Sequence, residues 1–210
     1  MNIKHQAELI KYIGLTNYLI GVGETLKNCF MQNKFKFNKW HTVGYNLRPY
    51  KKQVVSIANS LTPNVVVEVG CGIGEIIHRI QAIHKIGIDV ESNAINAAKY
   101  MYESNQTIFK EANFIETENI LTDLCLESID LLIMVNWPHQ IPIELIQKTI
   151  KTILLKKKIN YIIIDSINKN FKGYKYYHSI NELEKIGKIY KVTPGIDGIR
   201  SFIIIDLNQC

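Results

Sequence analysis

Short apolar runs alternate along the chain with longer stretches in which apolar residues recur at helical spacing. The runs cover residues 65–69, 85–90, 106–112, 130–135 and 160–165, reading VVVEV, KIGIDV, QTIFKEA, DLLIMV and NYIIID. Runs of this length and make-up suit strands buried on both faces of a parallel sheet. Helices are predicted between them, over residues 75–80 and 91–101, over 142–155 with Pro142 in the first turn, and over 179–186, which opens with a Ser-x-x-Glu capping pattern at Ser179. Residues 189–192 and 202–207 form a closing pair of strands. The connection between them, 193–200, is too short for a crossover helix, so that pair is antiparallel. Ahead of the first strand, residues 18–37 and 49–61 are the clearest helices. The expected architecture is α/β: a doubly wound, mostly parallel seven-stranded sheet with an antiparallel C-terminal hairpin, preceded by N-terminal helices. The expected division is a helical segment over 1–60 and a sheet domain over 61–210.

Composition alters this picture little. At 210 residues the chain suits one domain with a substantial core, and its 47% hydrophobic content is that of an ordinary globular protein. The formal charge of +6 comes from lysines scattered among Ile and Asn, short of the clustered patch that a nucleic-acid partner calls for. The Lys run in KTILLKKKIN, residues 151–160, reads as solvation of a helix end. Cys29, Cys71, Cys125 and Cys210 form no CxxC pair, so neither a zinc site nor a disulfide framework is indicated and a reducing cytoplasm is the default. No apolar stretch is long enough to span a bilayer, and the amino terminus is too polar for a signal peptide, so no membrane partner is expected.

The most informative stretch is residues 65–74, VVVEVGCGIG: an apolar strand with one carboxylate, then glycine at every second position. Gly70, Gly72 and Gly74 let the backbone turn tightly and approach a ligand. The pattern alone leaves two readings, a dinucleotide dehydrogenase or an S-adenosylmethionine (SAM) enzyme. A GxGxxG fingerprint starting at Gly70 requires a small residue at position 75, where helix packs on strand, and the chain has Glu75. What remains is ExGxGxG, Glu68 to Gly74, which resembles the first motif of the seven-stranded SAM-dependent methyltransferases. The resemblance covers about residues 60–207 at the level of fold and implies the strand order 3-2-1-4-5-7-6. It also implies SAM as cofactor, with Glu68, Gly70, Cys71 and Gly72 beside it, and a lid formed by residues 1–60.

One helix length further on, the second strand ends on Asp89, with Val90 next to it. A carboxylate there can accept two hydrogen bonds from a ribose diol, and also suits the cap of the following helix. The resemblance places Asn113 at the adenine amino group and Phe114 against the ring, with Asn136 lining the SAM pocket. Trp137 could form an apolar wall on the acceptor side. His139, in the same turn, is the expected general base, with His41 in reserve, because a histidine of near-neutral pKa suits a hydroxyl acceptor. In the aromatic loop 39–50, Tyr45, Arg48 and Tyr50, together with His41, are expected around the acceptor or the SAM carboxylate. Arg200 reads as a hairpin salt bridge. An isolated Asp165 does not make a magnesium site, so no metal is expected.

These readings converge on transfer of a methyl group to a small polar acceptor, with a hydroxyl favoured and a sugar or sugar nucleotide as the guess. The alternatives are an N-methyltransferase acting on an amine or a nucleic-acid base, and a non-catalytic SAM-fold binding protein. Asn136-Trp137-Pro138-His139 matches only two of four positions of the (D/N)PP(Y/F) loop of amino-methylating nucleic-acid enzymes, so nucleic acid ranks below a small molecule. Monomer and homodimer both remain open.

Overall fold

The computed structural model describes residues 3–208, with side chains from residue 6 onward; Cys210 lies outside them. Three helices precede the sheet: α1 (Ile3–Ile13), α2 (Leu15–Phe35) and α3 (Pro49–Ser60). The strands are β1 (Val65–Val69), β2 (His84–Asp89), β3 (Thr107–Glu111), β4 (Ser128–Met134), β5 (Lys158–Ile167), β6 (Lys188–Pro194) and β7 (Arg200–Asp206). Four further helices connect them: α4 (Ser92–Tyr102), α5 (Thr117–Asp123), α6 (Ile143–Leu154) and α7 (Ile180–Leu183). The sheet order is β3-β2-β1-β4-β5-β7-β6, with every pair parallel except β5 with β7 and β6 with β7. The expected topology, terminal hairpin included, is present.

Strand alternation divides the core between the two faces of the sheet. Val67, Val69, Leu132, Ile162 and Ile203 face α6, which contributes Ile146, Ile150 and Ile153 at helical spacing. Val66, Leu131, Ile133, Ile163 and Phe202 face the other way, toward Val54 and Ala58 of α3 and Ile95 and Ala98 of α4. Covering both faces is what allows these strands to be apolar almost throughout. Only β6, at the sheet edge, is largely exposed, and it carries Lys188, Tyr190 and Lys191 there. Ser179 caps α7 as the capping pattern predicts, its side chain accepting from Glu182 N while the Glu182 side chain accepts from Ser179 N.

Two local expectations are corrected. The helix predicted over residues 75–80 is only a 3-10 turn, Ile77–Arg79. Ile77 N donates to the Glu68 carboxylate at 2.9 Å, and the side chains of His78 and Arg79 bond the carbonyls of Gly74 and Glu75. Groups that would sustain a helix are therefore bound to the glycine turn. In the Lys run, Lys157 is buried and paired with Glu127 at 3.0 Å, so it is an anchor rather than a solvated helix end.

Candidate active site

At the carboxyl ends of β1, β2 and β4, where the strand order reverses, a cavity of about 560 Å³ opens. Its floor is the turn after β1. Gly70 and Gly72 have φ of 74° and 54°, in the left-handed region, and each lies under a ring. A Cβ on Gly70 would fall inside the Trp137 indole, and one on Gly72 would come within 2.5 Å of the His41 imidazole. Only glycine satisfies both the dihedral and the packing. Trp137 Nε1 donates to Val69 O at 2.5 Å, pinning the indole over the end of β1.

Asp89 stands at the tip of β2. Its Oδ2 accepts from Gly72 N at 2.7 Å and its Oδ1 from Glu91 N at 2.9 Å. The side chain thus ties the glycine turn to the start of α4. An ionised carboxylate has about four acceptor positions, so roughly two remain for a ligand. Glu91, not Asp89, occupies the cap position of α4, without a side-chain cap bond. Glu68, one strand away, is fully enclosed, and burial pushes its carboxyl up to about 8.

The opposite wall comes from the segment before the sheet. Two 3-10 turns, Lys39–Thr42 and Tyr45–Leu47, lead into α3; Trp40 and His41 reach the cavity from the first turn, Arg48 from the cap of α3 and Tyr50 from its first turn. His41 Nε2 lies 3.3 Å from Glu91 Oε2, and desolvation holds its pKa below the ordinary 6.5 despite Asp89 and Glu91. The Arg48 guanidinium donates to Trp40 O at 2.7 Å and lies over the Trp40 ring. Lys51 of α3 also lines the cavity. It pairs with the Glu75 carboxylate, whose second oxygen accepts from Asn28 Nδ2 of α2 at 2.9 Å.

Of the residues singled out from the sequence, Glu68, Gly70, Cys71, Gly72, Asp89, Val90, Asn113, Phe114, Asn136, His41, Arg48, Tyr50 and Trp137 all line this one cavity. Asn113 Oδ1 accepts from Ile115 N at 3.3 Å, which leaves its second lone pair and the amide nitrogen for a ligand. Two residues fall elsewhere. Tyr45 is buried with the Arg79 guanidinium 4.0 Å over its ring, away from the cavity wall. His139 is 0% exposed; its Nε2 meets Asp165 Oδ1 at 3.1 Å, and its ring packs against Tyr174 and His178. The turn after β4 sets Trp137 against the cavity and His139 in the core, where Asp165 also accepts from Asn136 N and from Arg200 Nη1. A base must reach the reacting proton, and His139 does not face the space where one would sit. Arg200 makes the expected hairpin bridge to Asp197 at 2.8 Å as well, and lies 4.4 Å over the Tyr50 ring.

Lys51 and Glu75 also stand in the cavity wall, and the sequence pattern did not announce them there. Glu75 carried a signal, a charge where a small residue is expected beside the glycine turn. Its partner could not be picked from 25 Lys and Arg residues by spacing. Among the described residues no cluster of metal-ligating side chains forms, and no helix is long and apolar enough to cross a membrane.

A family model described as a methyltransferase domain matches residues 63–193. The chain belongs to this methyltransferase family. It is a SAM-dependent methyltransferase, and its fold agrees. The SAM-bound magnesium protoporphyrin IX methyltransferase from Synechocystis PCC 6803 is similar at 14% identity and a TM-score of 0.57, over 90% of this chain and 96% of that one. A bacterial methyltransferase domain, CtHen1-C, is similar at 13% identity and a TM-score of 0.56, over 76% of this chain and 97% of that one. Monomeric WbdD is similar at 18% identity and a TM-score of 0.54, over 75% of this chain and 40% of its own. At such identities the likeness is one of fold. No curated protein matches the sequence.

The residues present fit the methyltransferase cofactor. The side-chain-free turn at Gly70 and Gly72 admits close backbone approach, and Asp89 keeps acceptor positions for a diol. Apolar Val90, Ala112, Phe114 and Ile115 wall the end of the cavity beyond β2 and β3, suited to a flat heteroaromatic ring.

Proposed function

We propose that this methyltransferase acts on a hydroxyl of a small polar acceptor, with His41 as the general base. Asp89 would hold the ribose, Asn113 and Phe114 the adenine, and Gly70 to Gly72 the methionine portion. That leaves the acceptor to the part of the cavity bounded by His41, Arg48, Tyr50, Trp137 and Gln140. When bound, SAM supplies a methyl group on a positively charged sulfur that becomes neutral as the group leaves. Much of the acceleration then comes from alignment within an enclosed site. Aromatic walls such as Trp137 and Tyr50 favour the cationic donor.

The observation that carries the hydroxyl reading is the orientation of His41. His41 Nε2 pairs with the Glu91 carboxylate at 3.3 Å, which favours the proton on Nε2 and a lone pair on Nδ1, and the ring edge formed by Nδ1 and Cε1 borders Gly72. Burial keeps the ring neutral at pH 7, the state a base requires. In that role Nδ1 would take the hydroxyl proton while the acceptor oxygen gains the methyl group, the electrons of the broken carbon–sulfur bond staying with the departing sulfur. The cavity volume of about 560 Å³ falls in the range of small-molecule sites. The burial of His139 weighs against the base-flipping alternative, because its ring is inside the core rather than free to stack on a base.

The test is release of S-adenosylhomocysteine from SAM with a panel of small hydroxyl- and amine-bearing acceptors, sugars and sugar nucleotides included. A hydroxyl substrate should be found whose kcat falls by about 10²-fold or more in His41→Gln and whose rate declines on the acid side below the ordinary histidine range. Turnover confined to amines, or a His41→Gln variant with unchanged kcat, would overturn the reading.

A further inference from the structure

Helix α2 buries one face against the domain and carries an apolar stripe on the opposite, outward face. Its inward face packs on the domain through Gly21, Asn28 and Met31. On the outward face Leu15, Leu19, Leu26 and Phe30 are 59%, 61%, 67% and 65% exposed. At about 100° per residue these four fall within about 60° of one another, a single stripe along a helix of about 31 Å. A helix on the surface of a monomer turns its apolar stripe toward the core, and here the stripe faces away from it. The stripe consists of four large side chains, each more than half exposed.

The spacing identifies what covers it. Leu15 and Phe30, Leu19 and Leu26, and Val22 and Gly23 are each symmetric about the midpoint between residues 22 and 23. An antiparallel copy of the same helix, related by a two-fold axis at that midpoint, sets each member of a pair against the other, so that every layer is apolar. Such an interface is isologous and closes at two copies. Gly23 adds an independent sign. It is exposed in the middle of the helix, a Cβ there would meet nothing within 4 Å, and so nothing within the chain requires a glycine. It costs roughly 1 kcal/mol relative to Ala. Opposite Val22 of a second helix, the bare backbone allows close approach.

We infer that α2 is the seam of a homodimer, two copies packing antiparallel across a two-fold axis between Val22 and Gly23. The helix so clamped is the one whose inner face holds Glu75 through Asn28, and Asn46 and Arg79 through Glu24. The dimer would therefore brace the lid side of the cavity.

Analytical ultracentrifugation of the full chain at tens of micromolar should give about twice 24.2 kDa. Leu19→Glu with Leu26→Glu should give a monomer with an unchanged circular dichroism spectrum. Register is tested in a background with Cys29, Cys125 and Cys210 changed to Ser. There the double variant Leu19→Cys with Leu26→Cys should form an oxidised dimer, and neither single variant should, because like positions lie about 10 Å apart along the axis. A monomeric native chain at that concentration overturns the inference, as does equal cross-linking by the single variants. A monomer that floats with phosphatidylglycerol vesicles also overturns it, by assigning the stripe to a lipid surface.

Discussion

Lys51 Nζ and the Glu75 carboxylate meet inside the cavity wall, joining α3 to the turn that carries the glycines. The second Glu75 oxygen receives Asn28 of α2, so a single buried carboxylate fastens two helices of the N-terminal segment to the cofactor turn. The same residue that argued against a dinucleotide fingerprint thus has a structural duty.

Removing one partner of this pair strands the other. Glu75→Ala should cost about 3–5 kcal/mol of stability, because the Lys51 ammonium is left buried without its counterion. The joint replacement Lys51→Met with Glu75→Leu should cost much less, since paired charges exchanged together for apolar groups are often near neutral. Urea unfolding of the three proteins checks this. A double variant at least as damaged as Glu75→Ala would contradict it.

At Gly70, the positive φ and the indole above it both oppose a side chain. Gly70→Ala should lose about 1–2 kcal/mol from the left-handed backbone alone. Displacement of Trp137 adds to that, and SAM affinity should fall with it. Thermal unfolding and a SAM titration read the two effects, and full retention of both would refute the packing described.

Glu68 gives a pH dependence with a definite sign. Its carboxyl is raised from 4.5 to about 8, chiefly by desolvation, with Lys51 and the Ile77 N–H pulling the other way. The stability conferred by its proton is fully present below about 4.5, declines as pH rises, and is gone once pH passes about 8. Glu68→Gln keeps an acceptor for Ile77 N but cannot ionise. The stability of Glu68→Gln relative to the native chain should therefore grow from about pH 4.5 to about pH 8 and level off above. Parallel stability curves for the two proteins would exclude it.

His139 behaves as an internal brace. His139→Ala should destabilise by about 2–4 kcal/mol, through the cavity created and the hydrogen bond taken from buried Asp165. SAM affinity of the folded fraction should stay within about twofold, which calorimetry at low temperature would measure. A stable His139→Ala protein with abolished turnover would restore the histidine to the chemistry.

The apolar runs announced β1, β4 and β5 because strands buried on both faces are apolar at every position, a signal that survives without any partner information. The hairpin of β6 and β7 was legible from a connection too short to cross over. The turn at Gly70 to Gly74 and Asp89 were legible because their spacing is local. His139 and Tyr45 were not, because which way a side chain points in an irregular turn depends on distant groups, here Asp165 and Arg79. Lys51 with Glu75 was hidden for the same reason, the two being 24 residues apart.

The proposed SAM site rests on the Gly70 turn and the Asp89 carboxylate, and isothermal titration with SAM reads its occupancy. The native chain should bind well below millimolar SAM. Asp89→Ala should weaken the affinity by about 1.5–3 kcal/mol, the range for hydrogen bonds to a charged group. A folded native protein that binds no SAM below millimolar concentration, or an Asp89→Ala variant of unchanged affinity, would contradict it.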